Sequence, residues 1–225
     1  MPVRVLTWNL KHGRADPSAG RYLLVEFATA LAGWEWDVAL LQEVPPWWPP
    51  ALARAAGDDG RRCEARAVLT SRNAGLPLRR ALATRWPDLM KSNGGGANAI
   101  LVRAGAVSEH RTRMLRRWPE RRRLHAVRLE MGLWVGNLHA TAHHDTWALR
   151  DDGLAARTLL EWAGGAPCVL GGDFNLRALT LEGLEYAGGH DVDHVFARGL
   201  VAAGPAQVLV RGQLSDHAPV AVTLR

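Results

Sequence analysis

A short apolar strand that ends in an acid and an amide constrains this chain more than any other stretch. Pro167 to Asn175 reads PCVLGGDFN: Cys168, Val169 and Leu170 have the length and type of a fully buried strand, and Gly171 and Gly172 let the backbone bend where larger residues could not. Asp173 and Asn175 therefore stand at the mouth of a sheet. Such a pair handles a metal ion, a water molecule or a phosphate, although a lone Asp-x-Asn is also an ordinary turn. The other strand ends decide between the two.

Val3 to Trp8 alternates as a strand that delivers Asn9 into a turn, and the apolar positions Leu23, Leu24, Phe27, Ala28 and Leu31 predict a helix between Arg21 and Trp34, with Gly33 as its stop. Val38 to Leu41 is a second short strand, ending in Gln42-Glu43. Strand, helix, strand with a polar residue at each strand end is the α/β arrangement in which sites gather along one sheet edge. Residues 47 to 56 suit a short helix and 61 to 71 a strand, while 72 to 96 read as loops with one possible helical turn. Four strands follow, over 97–103, 107–115, 123–130 and 133–138, the last two joined as a hairpin at Met131-Gly132. A helix is expected over 146–163, ended by Gly164-Gly165. Beyond Asn175 the pattern predicts a short helix over 179–186, a strand over 192–197, a broken or hairpin strand over 200–210 and a last strand over 218–224. Strands outnumber helices, and two sheets packed face to face with helices outside accommodate this order. No repeat or linker divides the 225 residues, so one domain over 1–225 is expected.

Asn9, Glu43, His139, Asp173, Asn175, Asp193, Asp216 and His217 share one context: each sits at the end of a predicted buried strand or directly before the next. Each alone has a plain structural explanation as a turn residue, a surface acid or a cap. Eight repetitions of that explanation are not credible.

The surrounding motifs, WNL at Trp8–Leu10, LQEV at Leu41–Val44, NAIL at Asn98–Leu101, GNLH at Gly136–His139, GGDFN at Gly171–Asn175, DHVF at Asp193–Phe196 and SDHAPV at Ser215–Val220, resemble in order those of the endonuclease/exonuclease/phosphatase superfamily, the group related to deoxyribonuclease I. The resemblance runs from Val3 to Val222. It implies an α/β fold, a four-layer sandwich of two mixed, largely antiparallel sheets flanked by helices, together with a divalent metal, usually Mg²⁺ with Mn²⁺ as an alternative, and hydrolysis of phosphate esters. Cleavage of such an ester requires an anion to be neutralised, a water to be aligned and a leaving oxygen to be stabilised. Hard oxygen ligands suit Mg²⁺, and Glu43 is the first choice of metal ligand, with Asn9 and Asp216 expected to complete or support the shell. Asp173 is expected to orient or deprotonate the water and Asn175 to hold it or a phosphoryl oxygen. His217 serves as base or transition-state donor, with Asp193 fixing its tautomer. The resemblance puts His139 on the opposite side of the phosphate, and the motif leaves the true base open between Asp173 and the Asp193–His217 pair.

Asn98, Arg121, Arg122, Arg123 and His143 are candidate substrate contacts. Trp118 with the arginines from Arg111 to Arg123 could stack on bases and grip phosphates, or could line a solvated strand connection. A zinc site at His139, His143, His144 and Asp145 is disfavoured because the spacing fits neither of the common zinc hydrolase patterns. The formal charge of +6, carried almost wholly by arginine, suits a phosphate-bearing partner, but an arginine- and alanine-rich bias also follows from base composition alone. Lys11, two residues after Asn9, and His139 depart from the abasic-site repair pattern and leave a second metal in doubt. The preferred substrate is nucleic acid, DNA or RNA; a small or lipid phosphate, inositol phosphate or sphingomyelin, is the alternative, and a non-catalytic binding protein a distant third. No apolar run approaches the roughly 20 residues that span a membrane, the N-terminal run is too short for a signal segment, and Cys63 and Cys168 lack disulfide or zinc spacing. A cytoplasmic protein is expected.

Overall fold

The computed structural model describes residues 2–57, 62–70, 75–88 and 96–225. Its first sheet contains β1 (Val3–Asn9), β2 (Val38–Val44), β3 (Glu64–Leu69), β4 (Ala97–Val102), β11 (Gln207–Val208) and β12 (Val220–Leu224), in the order β11-β12-β1-β2-β4-β3. The second contains β5 (Val107–Arg116), β6 (Arg122–Leu129), β7 (Trp134–His139), β8 (Cys168–Asp173), β9 (Glu185–His190) and β10 (Asp193–Arg198), in the order β5-β6-β7-β8-β10-β9. Among the described residues, only β1 with β2 and β7 with β8 pair in parallel. Each parallel pair is bridged by a helix, α1 (Leu24–Gly33) in the first and α4 (Asp145–Ala163) in the second. Two further helices are α2 (Pro49–Ala56) and α3 (Leu76–Arg85).

The period of two along each strand sorts the apolar residues into three layers. Val3, Val5, Val38, Leu40 and Ile100 meet Val127, Val135, Val169 and Val195 between the sheets. Leu6, Trp8, Ala39 and Leu41 face outward onto Phe27 and Leu31 of α1 and Leu52 of α2. Leu124, Leu138 and Leu170 face the other way, onto Ala155 and Leu159 of α4. Helix, sheet, sheet and helix thus form the expected four-layer, deoxyribonuclease I-like sandwich.

The same parity positions the polar residues. Asn9 continues the inward series Val3, Val5, Thr7, and Asp173 the inward series Val169, Gly171, so both point into the seam between the sheets. Since β1, β2, β7 and β8 end where their antiparallel partners β4, β12, β6 and β10 begin, all the candidate positions on these strands lie at one end of the sandwich. Two residues deeper in the seam, Gln42 Nε2 donates to Asn137 Oδ1 at 2.8 Å, and Asn137 Nδ2 donates to the carbonyls of Leu41 at 3.0 Å and Ala99 at 2.9 Å. This buried amide pair fixes one sheet against the other where a slip would misalign the site.

Several details differ from the sequence reading. β8 runs straight through Gly171 and Gly172, which serve close approach and not a bend: a Cβ on Gly172 would lie 2.0 Å from the Leu138 carbonyl oxygen. β2 runs one residue past the expected Gln42-Glu43 end, to Val44. Gln42 and Glu43 together oppose Asn98 in a bulge, with Glu43 at φ +48°. Residues 179–186 form no helix; Leu181 and Leu184 bridge across a tight turn at Gly183, whose φ of +77° interrupts helical geometry, and β9 starts at Glu185. The stretch 200–210 is reduced to two-residue β11 and a single bridge from Ala202 to Leu224. Within 72–96, α3 is a full ten-residue helix with no buried residue; the remainder of that loop reading, 72–74 and 89–95, and Arg61 and Ser71 at the ends of the predicted third strand, fall outside the described residues.

Candidate active site

Asp173 is the hub. It is 1% exposed, and its two oxygens accept hydrogen bonds from Asn9 Nδ2 at 2.8 Å and from the Asn175 backbone N–H at 3.0 Å. Asn175 sits at φ +54° and spends its own Nδ2 on the Ala140 carbonyl at 3.0 Å. His139 Nε2 and His217 Nε2 stand 3.4 and 3.9 Å from the same Asp173 oxygen. The His217 ring is held from behind, its Nδ1 lying 2.7 Å from Asp193 Oδ2. Trp8 donates its indole N–H to the His217 carbonyl at 3.0 Å, and Ser215 Oγ accepts the His217 N–H at 3.1 Å while donating to the Asn9 carbonyl at 2.7 Å. β1, β8, β10 and the loop before β12 are thereby joined through one cluster.

Electrostatics divide the two histidines. For His217, burial alone would lower the pKa. The hydrogen bond to Asp193 and the fields of Asp193, Asp173 and Asp216 together outweigh burial and raise it to about 9. His139 is almost wholly buried, near Arg122 and His217, and is held well below the ordinary histidine value. At neutral pH His217 is an imidazolium and His139 a neutral ring. Burial raises the carboxyl of Asp173 against the opposing pull of His217, Asn9 and Asn175. A carboxylate with raised basicity beside a cationic N–H donor can take a proton from water and steady a developing anion.

Glu43 lies across the mouth with Oε2 3.2 Å from His12 Nε2, and Asp216 is tied to Lys11 Nζ at 3.1 Å, an ammonium that also meets Asp16 at 3.2 Å. The quarter-exposed Glu43 carboxylate and the Asn9 amide oxygen, which accepts the Lys11 N–H at 3.0 Å, are hard oxygen donors and fit an Mg²⁺-type ion; Asp216 already has an internal cation. Asp173, Asp193 and His217 also bring ligand atoms within 4.8 Å of one another. The His217–Asp193 hydrogen bond lies within that trio. An open recess between α1 and α2, lined by Leu24, Ala28, Trp34 and Ala55, takes in none of these side chains.

The basic candidates separate. Arg122 is buried beside Glu120, with its Nε lacking a partner among the described residues, and its field reaches His12 and His139. Asn98 is fully buried, donating weakly to the Arg123 carbonyl at 3.5 Å, with its Oδ1 unpaired among the described residues. Arg121 is half-buried with no tie to the cluster among the described residues, and His143 is exposed, next to His144, whose ring stacks on Trp147 at 4.2 Å. Neither residue joins the hub. Lys11, His12 and Ser215 were not named as site residues from the sequence; the polar run directly after β1 was the signal for Lys11 and His12, and the motif before β12 that for Ser215.

An acid–histidine–acid cluster at the common mouth of two face-to-face sheets marks a hydrolytic phosphoesterase of the deoxyribonuclease I-like class. The chain belongs to the endonuclease/exonuclease/phosphatase family, whose sequence model matches residues 6–217. Among solved structures, an endonuclease/exonuclease/phosphatase from Beutenbergia cavernae is similar with a TM-score of 0.73 and 20% identity, over 100% of this chain and 71% of that one. Truncated Caenorhabditis elegans TDP2 is similar with a TM-score of 0.69 and 17% identity, over 100% and 98% of the two chains. A mannosyl-6-phosphatase from Bacteroides thetaiotaomicron gives a TM-score of 0.69 and 16% identity, over 99% of each. No curated protein matches the sequence. Among the described residues no helix is long and apolar enough to cross a membrane.

Proposed function

We propose that this protein is a metal-dependent phosphodiesterase that cleaves nucleic acid by in-line attack of water. The observation that carries the reading is the pair of imidazole Nε2 atoms converging on one Asp173 oxygen, with the Asp193–His217 hydrogen bond behind. Asp173, fixed by Asn9 and Asn175, aligns the water and accepts its proton. The His217 imidazolium donates to a non-bridging phosphoryl oxygen as charge builds there, and Asp193 keeps that proton on the ring. Neutral His139 donates beside it. Arg122 and Lys11 add positive charge around the anion. Held by Glu43 and Asn9, with Asp216 outside them, Mg²⁺ or Mn²⁺ would supply further neutralisation of the phosphoryl oxygens and a more acidic bound water. Two free thiols, Cys63 and Cys168, suit a reducing cytoplasmic setting.

The likeness to a mannosyl-6-phosphatase along the whole chain supports a second reading, a phosphatase of small phosphate monoesters. A substrate panel separates them: single-stranded DNA, RNA, bis-p-nitrophenyl phosphate, p-nitrophenyl phosphate and mannose 6-phosphate, each with Mg²⁺ or chelator. The diesters are expected to turn over at least about tenfold faster than the monoesters, and chelator to stop both. Preference for monoesters, or activity that survives chelation, would overturn the proposal.

A further inference from the structure

Arg122 opens β6, and the pairing of His125 with Asn137 sets the register between that strand and β7. Carried two residues toward the mouth, the register brings Arg123 level with His139 and puts Arg122 one step further out, at the rim of the site. The charge of Arg122 acts on His139 and also on His12, whose Nε2 lies 3.2 Å from Glu43 across the mouth. Although Arg122 is only 6% exposed, its donors are half used. Nη2 donates to Glu120 Oε2, whereas Nε, which shares with Nη2 one edge of the guanidinium fork, is buried without a partner among the described residues. Glu120 belongs to the loop between β5 and β6, its side chain is 66% exposed, and among the described residues it makes no other hydrogen bond or ion pair. Its charge also reaches His12, so this carboxylate stands over the same mouth.

A buried guanidinium with a vacant N–H on its donor edge selects an anion that can fill both positions. A phosphoryl group presents two oxygens to that edge and satisfies Nε and Nη2 together. An apolar occupant would leave the buried Nε–H unpaired, which is costly. Glu120 is a poor final partner by the same measure: an ion pair that reaches from an exposed loop is held weakly and gives way to a better acceptor. We propose that Glu120 is a stand-in for the substrate, its carboxylate holding on Arg122 the seat of a non-bridging phosphoryl oxygen and leaving it when the ester binds at the hub. This rests on the phosphodiesterase reading and deepens it: Arg122 becomes a direct ligand of the substrate, and Glu120 a competitor that keeps the arginine neutralised between turnovers and sets how tightly the phosphate is held.

The test is calorimetric titration of the full-length protein with inorganic phosphate in Mg²⁺, beside KM and kcat on bis-p-nitrophenyl phosphate. Glu120→Gln should strengthen phosphate binding about fivefold and lower KM by a similar factor, with kcat within about twofold of wild type. Arg122→Gln should weaken phosphate binding at least about tenfold. Adding Glu120→Gln to it should then change nothing further, because no donor edge is left to contest. Glu120→Asp keeps the charge but shortens the reach, and at this exposed position it serves as a second variant that should bind phosphate at least about twofold tighter than wild type. Unchanged or weaker binding in Glu120→Gln, the result if Glu120 holds Arg122 in place for the substrate, would overturn the exchange. So would a gain that persists beside Arg122→Gln, the result of a general field. Either outcome would leave the phosphodiesterase reading upheld by Mg²⁺-supported turnover of the wild type. Failure of the wild type to cleave any phosphate ester would instead defeat that reading, and the phosphate titrations would still decide the exchange.

Discussion

Two acids in this protein are buried for opposite purposes. Asp193 pairs with His217 through Oδ2, while its buried Oδ1 has no partner among the described residues; the two act as one proton-holding unit, so their substitutions should not add. Asp193→Asn and His217→Ala are each expected to lower kcat/KM on bis-p-nitrophenyl phosphate by about 10²-fold or more, and the double variant to lose no more than about threefold beyond His217→Ala. Fully additive losses would refute the dyad. Asp152 on α4 has no such partner: it is 0% exposed, and neither carboxylate oxygen has a hydrogen-bond partner among the described residues. Burial, reinforced by Asp151 and Asp173, pushes its carboxyl up to about 9. The unfolded chain releases that proton near pH ~4, so between the two values the folded state binds more protons and stability falls as pH rises. The cost can reach about 1.4 kcal/mol for each pH unit in that window. Urea unfolding at pH 5 and pH 8 should show Asp152→Asn stabilised relative to wild type, and more so at pH 8. An equal difference at both pH values would contradict the assignment.

At the scale of elements, β7 and β8 are drawn together by a glycine that no side chain can replace. With the Cβ of an alanine at 172 placed 2.0 Å from the Leu138 carbonyl oxygen and φ at +147°, Gly172→Ala should cost about 3 kcal/mol or more, measured by urea unfolding. A change under about 0.5 kcal/mol would show that the strands part without penalty. The sequence made most elements legible because short apolar runs alternate or end at turn residues. It misplaced those whose geometry depends on distant packing. Gly171 and Gly172 read as a bend because nothing local shows Leu40 and Leu138 pressing on them. Leu179 to Tyr186 carried enough leucine to suggest a helix, but Gly183 turns the chain and Tyr186 packs edge-on against Phe196 at 5.4 Å. α3 escaped notice because it buries nothing, so no apolar period marks it.

Across the whole molecule, a single topological fact makes the site: every strand that carries a candidate residue either ends or begins at the same mouth, and inward parity aims those side chains into the seam. The sequence showed which residues stand at strand ends. It could not show that Asn9 would reach across 164 positions to Asp173, that His12 would cover Glu43, or that Lys11 would neutralise Asp216, because those pairings arise only when the two sheets face each other. Arg121 and His143, whose residue types suit phosphate, have no hydrogen bond or ion pair to the hub among the described residues; Arg121 is half-buried and His143 exposed. The central claim is that the seam-facing Asp173 performs the chemistry. The most direct test is the Mg²⁺-supported hydrolysis rate of bis-p-nitrophenyl phosphate by Asp173→Asn protein with a wild-type melting profile. A fall of about 10³-fold or more from the wild-type rate is predicted, whereas a rate within about tenfold of wild type would contradict the account.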